Sequence, residues 1–230
     1  MPDHGPDGYR LGIVRRRTDG SGIREAGKMP DLPQNDMNPE IITREWLAEH
    51  NADGDFQMCA SLNMRVGLPL FEVIRRMDRA DWLIWLLHET RTCNRIQIIW
   101  LVCLCARRAL RHVLPGEDRP RLSIEAVERA IASDTPETRA AVLAAAGAAK
   151  AAAEVAMATE DAWAAEAAAE AAWGIARASE SDWATDGADW ADNAVLDVAD
   201  AAGGARKTEH PAMCDAIRAE LEDEKFKNLA

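Results

Sequence analysis

Aromatic residues, lysine and long apolar runs are all scarce in this chain of 230 residues. Aromatic side chains make up 5% of the sequence, with one tyrosine, three phenylalanines and eight tryptophans. Such a chain must build its core mainly from alanine, leucine, isoleucine and valine, which favours close-packed helices. The apolar fraction of 48% excludes disorder throughout the chain.

We expect neither a membrane-spanning segment nor a secretion signal. The longest apolar run, Ile98 to Ala106, is far shorter than the ~20 residues that a spanning helix needs. The first residues contain no apolar segment of the secretory kind, and an odd number of cysteines argues against a disulfide scaffold. We therefore predict a cytoplasmic protein with free thiols and no membrane contact.

Motifs for metal binding are incomplete. Asn51 to Asp55 begins like a calcium loop, but Phe56 stands where the loop needs glycine and Leu62 where it needs glutamate. Cys103 and Cys105 on one helix would point about 200° apart, so they cannot chelate one ion. We expect both thiols to be buried as small apolar groups.

Glycine-rich phosphate loops and nucleophile motifs are absent, and the histidines are scattered. These gaps predict a non-enzymatic protein with no catalytic, cofactor-binding or metal-binding residues and no cofactor. An enzyme stays open as an alternative only through residues that the fold brings together, such as a metal centre around Cys93, Cys103 or His112.

The formal net charge of −12 is concentrated in the last 100 residues. Residues 1–130 carry 19 basic and 19 acidic side chains, whereas residues 131–230 carry 8 and 20. A nucleic-acid-binding protein would show the opposite sign, so direct nucleic-acid binding is not expected.

The chain divides into a flexible tail, 1–40, and one all-α domain, 41–230. The tail is rich in proline and glycine and allows at most a short hairpin between 12–17 and 23–26. Met29 and Met37 precede the first convincing helix, so either is an alternative start of the native product. The domain is expected to be a single multi-helix bundle with alanine-rich C-terminal helices.

Periodicity and capping signals place the helices of this bundle. A central helix over 93–113 should be enclosed by the others, because it is apolar on nearly every side. Alanine fills 22 of the 39 positions between 140 and 178, which predicts two closely packed helices with a break near Thr159. The other helices are expected at 44–50, 69–77, 81–87, 120–131 with Asp118 as its N-cap, from 136 with Thr135 as its N-cap, 182–202 with Ser179 or Ser181 as its start signal, and 211–225.

Tryptophans should anchor this core. We expect seven of them to be largely buried: Trp82, Trp85, Trp100, Trp163, Trp173, Trp183 and Trp190.

Carboxylates form a stripe along the helix predicted at 182–202. At 100° per residue they share one side of the helix, and Glu166 and Glu170 share a face of the preceding helix. Like charges at this spacing cost local stability, which invites a functional explanation: a water-facing acidic surface that meets a basic partner. The alternative is a solvated face of a protein from an acidic proteome encoded by a GC-rich genome. The predicted partner-binding residues are Asp182, Asp186, Asp189, Asp197, Asp200, Glu166 and Glu170.

Arginines gather around the turn at Pro115 and Gly116. Acidic residues alternate with them, so pairing between the helix ends is favoured over an anion site. The arginines are Arg107, Arg108, Arg111, Arg119, Arg121 and Arg129, and the acids are Glu117, Asp118, Glu125 and Glu128.

The segment around this turn resembles a family of immunity proteins found in bacterial polymorphic-toxin loci and phage genomes. The resemblance rests on the helix Cys103 to Leu110, the turn Asp118-Arg119-Pro120-Arg121 and the following Ile124-Glu125-Ala126, and it extends over about 41–205. It implies an all-helical inhibitory binding protein and supplies no catalytic residues. The chain carries aspartate where the family has neutral residues or histidine, so a family partner need not be shared.

These observations predict a protein that neutralises a toxin or effector by binding its basic surface. One alternative is a phage-encoded anti-defence protein that imitates DNA towards a nucleic-acid-binding enzyme. A second is a structural accessory subunit, whose alanine faces would form a homo-oligomer.

Overall fold

The computed structural model describes residues 41–50, 67–157, 163–180, 188–201 and 206–229. All of them belong to one compact unit, Gln34–Ala230. The predicted tail with its hairpin, and the loop from Asn51 to Leu62, lie outside the described residues. Helices account for most of the described chain, so the all-α class is confirmed.

Ten α-helices and one small sheet make up the described part of the fold. The strands β1 (Ile41–Ile42) and β2 (Leu68–Pro69) pair antiparallel, with Ile41 opposite Pro69. A 3₁₀ turn, Leu110–His112, extends the fourth helix. The α-helices are α1 (Arg44–His50), α2 (Leu70–Arg76), α3 (Ala80–Glu89), α4 (Arg95–Ala109), α5 (Arg119–Ala132), α6 (Pro136–Met157), α7 (Trp163–Glu180), α8 (Ala188–Ala201), α9 (Arg206–Glu222) and α10 (Glu224–Lys227).

Helix α4 is the central helix, as its apolar run predicts. Asn94 begins it with a capping box, because its side chain accepts from the Gln97 backbone N–H while the Gln97 side chain accepts from the Asn94 N–H. The helix contacts α3, α5, α7, α8 and α9. Its buried side chains include Leu101, Val102 and Cys105, so the surrounding helices exclude water from most of its circumference.

Alanine-rich packing dominates the C-terminal half. The most extensive helix pairings join α6 to α7 and α7 to α8. Small buried residues such as Ala149, Ala172 and Ala194 face these contacts, and small side chains let helix axes approach closely. Helix α6 is described as far as Met157 and α7 from Trp163, so the predicted break near Thr159 lies outside the described residues.

Helix starts agree in part with the sequence signals. The Thr135 hydroxyl accepts from the Thr138 backbone N–H and caps α6 as predicted. Asp118 occupies the N-cap position of α5 without a capping bond; instead the Glu117 carboxylate accepts from the Arg119 backbone N–H. The alternative start at Ser179 is wrong, because α7 continues through that residue to Glu180.

Pro211 lies inside α9 and does not begin it. A proline removes one backbone hydrogen bond, so the five residues before it need other support. Glu209 and His210 supply that support, because both are buried against the rest of the fold. The Ala80 backbone N–H donates to Nδ1 of His210, and two arginines bind Glu209.

The four predicted tryptophans whose side chains are described pack against the core as expected, but none of them is fully buried. Trp82, Trp85, Trp100 and Trp173 are half-buried and pack on the edge of a core made by smaller aliphatic side chains. An indole is large and carries an N–H donor, so it often keeps one edge near polar groups or water. Trp100 Nε1, for example, donates to the Glu220 carboxylate at 2.7 Å. The side chains of Trp163, Trp183 and Trp190 lie outside the described residues.

Candidate acidic interface on helices α6 to α8

Three consecutive helices bring five carboxylates together. We call this group, Glu154, Glu166, Glu170, Asp197 and Asp200, the acidic cluster. Glu166 and Glu170 are one helical turn apart on α7, and Asp197 and Asp200 are one turn apart on α8. Because α7 packs against α8 and α6, the carboxylates of the neighbouring helices act on one another electrostatically.

Asp197 has the most perturbed environment in the acidic cluster. Its neighbours Val195, Val198 and Ala199 are fully buried, and Asp197 itself is half-buried. Burial, together with the charges of Glu170, Asp200 and Glu166, raises the pKa of Asp197 to about 7. An aspartate is ordinarily fully ionised at neutral pH. Asp197 is instead protonated in part of the molecules.

Glu170 has a milder form of the same environment. Burial and the charges of Glu166 and Glu154 raise its pKa, while Lys150 on α6 acts in the opposite direction. The Lys150 ammonium also lies 5.3 Å from the ring centroid of Trp173, within reach of a cation–π contact. Lys150 therefore offsets part of the negative charge on the α6 side.

The predicted water-facing stripe is only partly water-facing. Glu166, Glu170, Asp197 and Asp200 are each half-buried, whereas Asn193 is exposed. The alanine-rich contact between α7 and α8 explains this correction, because helices that approach closely cover the side chains along their seam. Asp182, Asp186 and the side chain of Asp189 lie outside the described residues. The structure brings together the other four predicted partner-binding residues, Glu166, Glu170, Asp197 and Asp200, and adds Glu154 to them.

The arginines around the 115–116 turn pair with acids, as the sequence predicts. Arg107 binds Glu128 on α5, and Arg119 binds Glu117. Arg121 binds Glu125 at 2.7 Å and Asp118 at 3.2 Å. Arg107–Glu128 joins α4 to α5, whereas the pairs of Arg119 and Arg121 are local contacts at the start of α5.

Glu209 is a partner that the sequence analysis missed. Its carboxylate binds Arg108 and Arg111 although it lies about a hundred residues further along the chain. Burial alone would raise the pKa of Glu209, but the hydrogen bonds from the two arginines outweigh burial and lower it. This buried pairing fastens the start of α9 to the end of α4.

The residues of the enzyme alternative do not converge. Cys93 precedes α4 and His112 follows it, so the 15 residues of α4, about 22 Å of helix, lie between them. Burial raises the pKa of Cys93 to about 12, and Cys103 and Cys105 are buried thiols with raised pKa values. Within the described ranges no group of three histidine, cysteine, aspartate or glutamate residues is placed to hold a metal ion.

A shallow pocket lies away from the acidic cluster, between the 3₁₀ turn and the ends of α5, α6 and α7. Val113, Leu114, Pro120 and Val155 form most of its wall, so it is largely apolar. Its acidic residue, Glu117, is bound to Arg119. Glu117 is the acid–base side chain among the described residues that line the pocket, and it is already paired.

The fold and the acidic cluster define the class: an all-α protein in which five carboxylates lie along the seam of α6, α7 and α8. None of the described helices is long and apolar enough to cross a bilayer. Comparison of the chain with protein-family models, with curated proteins and with solved structures finds no match. The resemblance to immunity proteins stays an expectation from the motifs around Asp118 to Arg121.

Proposed function

We propose that the protein is an immunity-like inhibitor that neutralises another protein by binding its basic surface through the acidic cluster. The observation that carries this proposal is the environment of Asp197. A half-buried carboxyl beside the like charges of Glu166 and Glu170 is destabilised in its ionised form. A lysine or arginine of a partner would reverse the sign of that local field, so binding would relieve a cost that the free protein carries.

The distribution of charge over the rest of the chain supports the same proposal. On α4 and α5 the arginines Arg107, Arg119 and Arg121 are engaged by acids of this chain. Residues 131–230 carry more acids than bases, and this excess makes the electrostatic field around the protein negative. Such a field accelerates encounter with a positively charged protein.

The half-buried position of the carboxylates favours arginine and lysine side chains as ligands. Glu166 and Glu170 keep part of their surface open to solvent, so a long cationic side chain can reach them. Charge-assisted hydrogen bonds in a partly desolvated seam are stronger than those on an open surface. Specificity would come from the fixed arrangement of α7 and α8, whose buried alanines keep the carboxylates in place.

The test compares two variants with equal changes of charge. Glu166→Gln with Glu170→Gln removes two charges from the acidic cluster, while Glu49→Gln with Glu222→Gln removes two exposed charges from α1 and α9. Each full-length protein would be used for affinity capture from the native host, and captured proteins would be identified and assayed for inhibition. Loss of both capture and inhibition in the cluster variant alone supports the proposal.

Two outcomes overturn it. Equal inhibition by the cluster and control variants would remove the acidic cluster from the interface. Absence of inhibition by the wild-type chain of any captured protein would remove the inhibitory role. Competition by duplex DNA for the captured protein distinguishes the two kinds of target: a DNA-binding enzyme would be released, whereas a toxin unrelated to nucleic acid would be retained.

A further inference from the structure

We draw no further inference here: the strongest candidate outside the acidic cluster, the exposed small-residue face of α6 that includes Ala140, Leu143, Ala144, Gly147 and Val155, is unpartnered in the described part of the chain, and nothing in the structure shows what covers it.

Discussion

Two regions of the molecule use charge in opposite ways. At the junction of α4, α5 and α9, opposite charges meet: Glu209 is buried between two arginines, and Arg107 binds Glu128. At the seam of α6, α7 and α8, like charges meet, and the pKa values of Glu170 and Asp197 are raised. The first region stabilises the fold through its charges, whereas the second keeps a local cost that a basic partner could remove.

The largest expected effect comes from breaking the paired region. Glu209→Ala leaves Arg108 and Arg111 without their acceptor and removes a buried anchor of α9. We expect the free energy of unfolding to fall by about 2–3 kcal/mol, since hydrogen bonds to charged groups are lost inside a partly desolvated site. Urea unfolding followed by circular dichroism measures the change.

Glu128→Ala is the matched control for that variant. The Glu128 side chain is 20% exposed against 5% for Glu209, so the loss should be below about 1 kcal/mol. Equal losses in the two variants would show that Glu209 is no more important than a surface acid.

The next largest effect is a gain in the free energy of unfolding, expected from Asp197→Asn. The folded protein holds the Asp197 proton up to pH about 7, whereas the unfolded chain releases it near 3.8, the ordinary pKa of an aspartate. Stability from this group is therefore present at low pH and is lost as the pH rises from about 4 to about 7. Asparagine keeps the shape without the charge, so we expect it to stabilise the fold at pH 8 by about 2 kcal/mol, after allowance for solvent screening.

Unfolding curves at pH 5 and pH 8 measure this effect. The gain from Asp197→Asn should be clearly smaller at pH 5, because Asp197 is then largely protonated. A variant that is less stable than the wild-type protein at pH 8 would mean that the Asp197 carboxylate is well satisfied in the folded state.

The paired acids depend on pH in the opposite direction. Arg119 binds Glu117, and Arg139 at the start of α6 binds Asp134 at 2.6 Å; these hydrogen bonds hold the pKa values of both carboxyl groups below their usual range. Their contribution is therefore present at neutral pH and lost as the pH falls through the acidic range. Unfolding measured between pH 2 and pH 8 should show the greatest stability at an intermediate, mildly acidic pH. A free energy of unfolding that rises steadily up to pH 8 would show that the like charges at the seam of α6, α7 and α8 have no measurable cost.

The smallest expected effect comes from Lys150→Gln. This change removes the cation that opposes the negative charge around Glu170, so the pKa of Glu170 should rise further. Because Lys150 is exposed, the loss of stability should stay below about 1 kcal/mol and shrink in 1 M salt. Unfolding at two salt concentrations measures it, and a salt-independent loss would point to the contact with Trp173 as the cause.

Local signals predicted the part of the fold that depends on neighbours in sequence. Three features depend on residues that are at most 21 positions apart in sequence. They are the apolar run of α4, the alanine content of α6 and α7, and the arginine–acid pairs around Pro115. Their outcome depends on propensity, periodicity and short-range pairing. The sequence therefore predicted the helical class and the internal pairing of Arg107, Arg119 and Arg121.

Tertiary packing decided what the sequence did not show. Glu209 becomes a buried partner only because α9 returns to the end of α4, and Trp100 stays half-buried because α9 also brings Glu220 to its N–H. Asp197 is half-buried because α7 packs against α8. A helical wheel of α8 alone does not show this burial. The raised pKa of Asp197 is likewise a property of two helices together.

A titration of the Asp197 carboxyl group tests the central claim most directly. Carbon-13 NMR of the full chain, assigned by comparison with Asp197→Asn, would follow this carboxyl between pH 3 and pH 9. A midpoint near pH 7 is predicted, because burial and three neighbouring carboxylates oppose ionisation. A midpoint near pH 4 would show that the carboxylate is already solvated or paired, which would contradict the like-charge seam on which the proposed inhibitor depends.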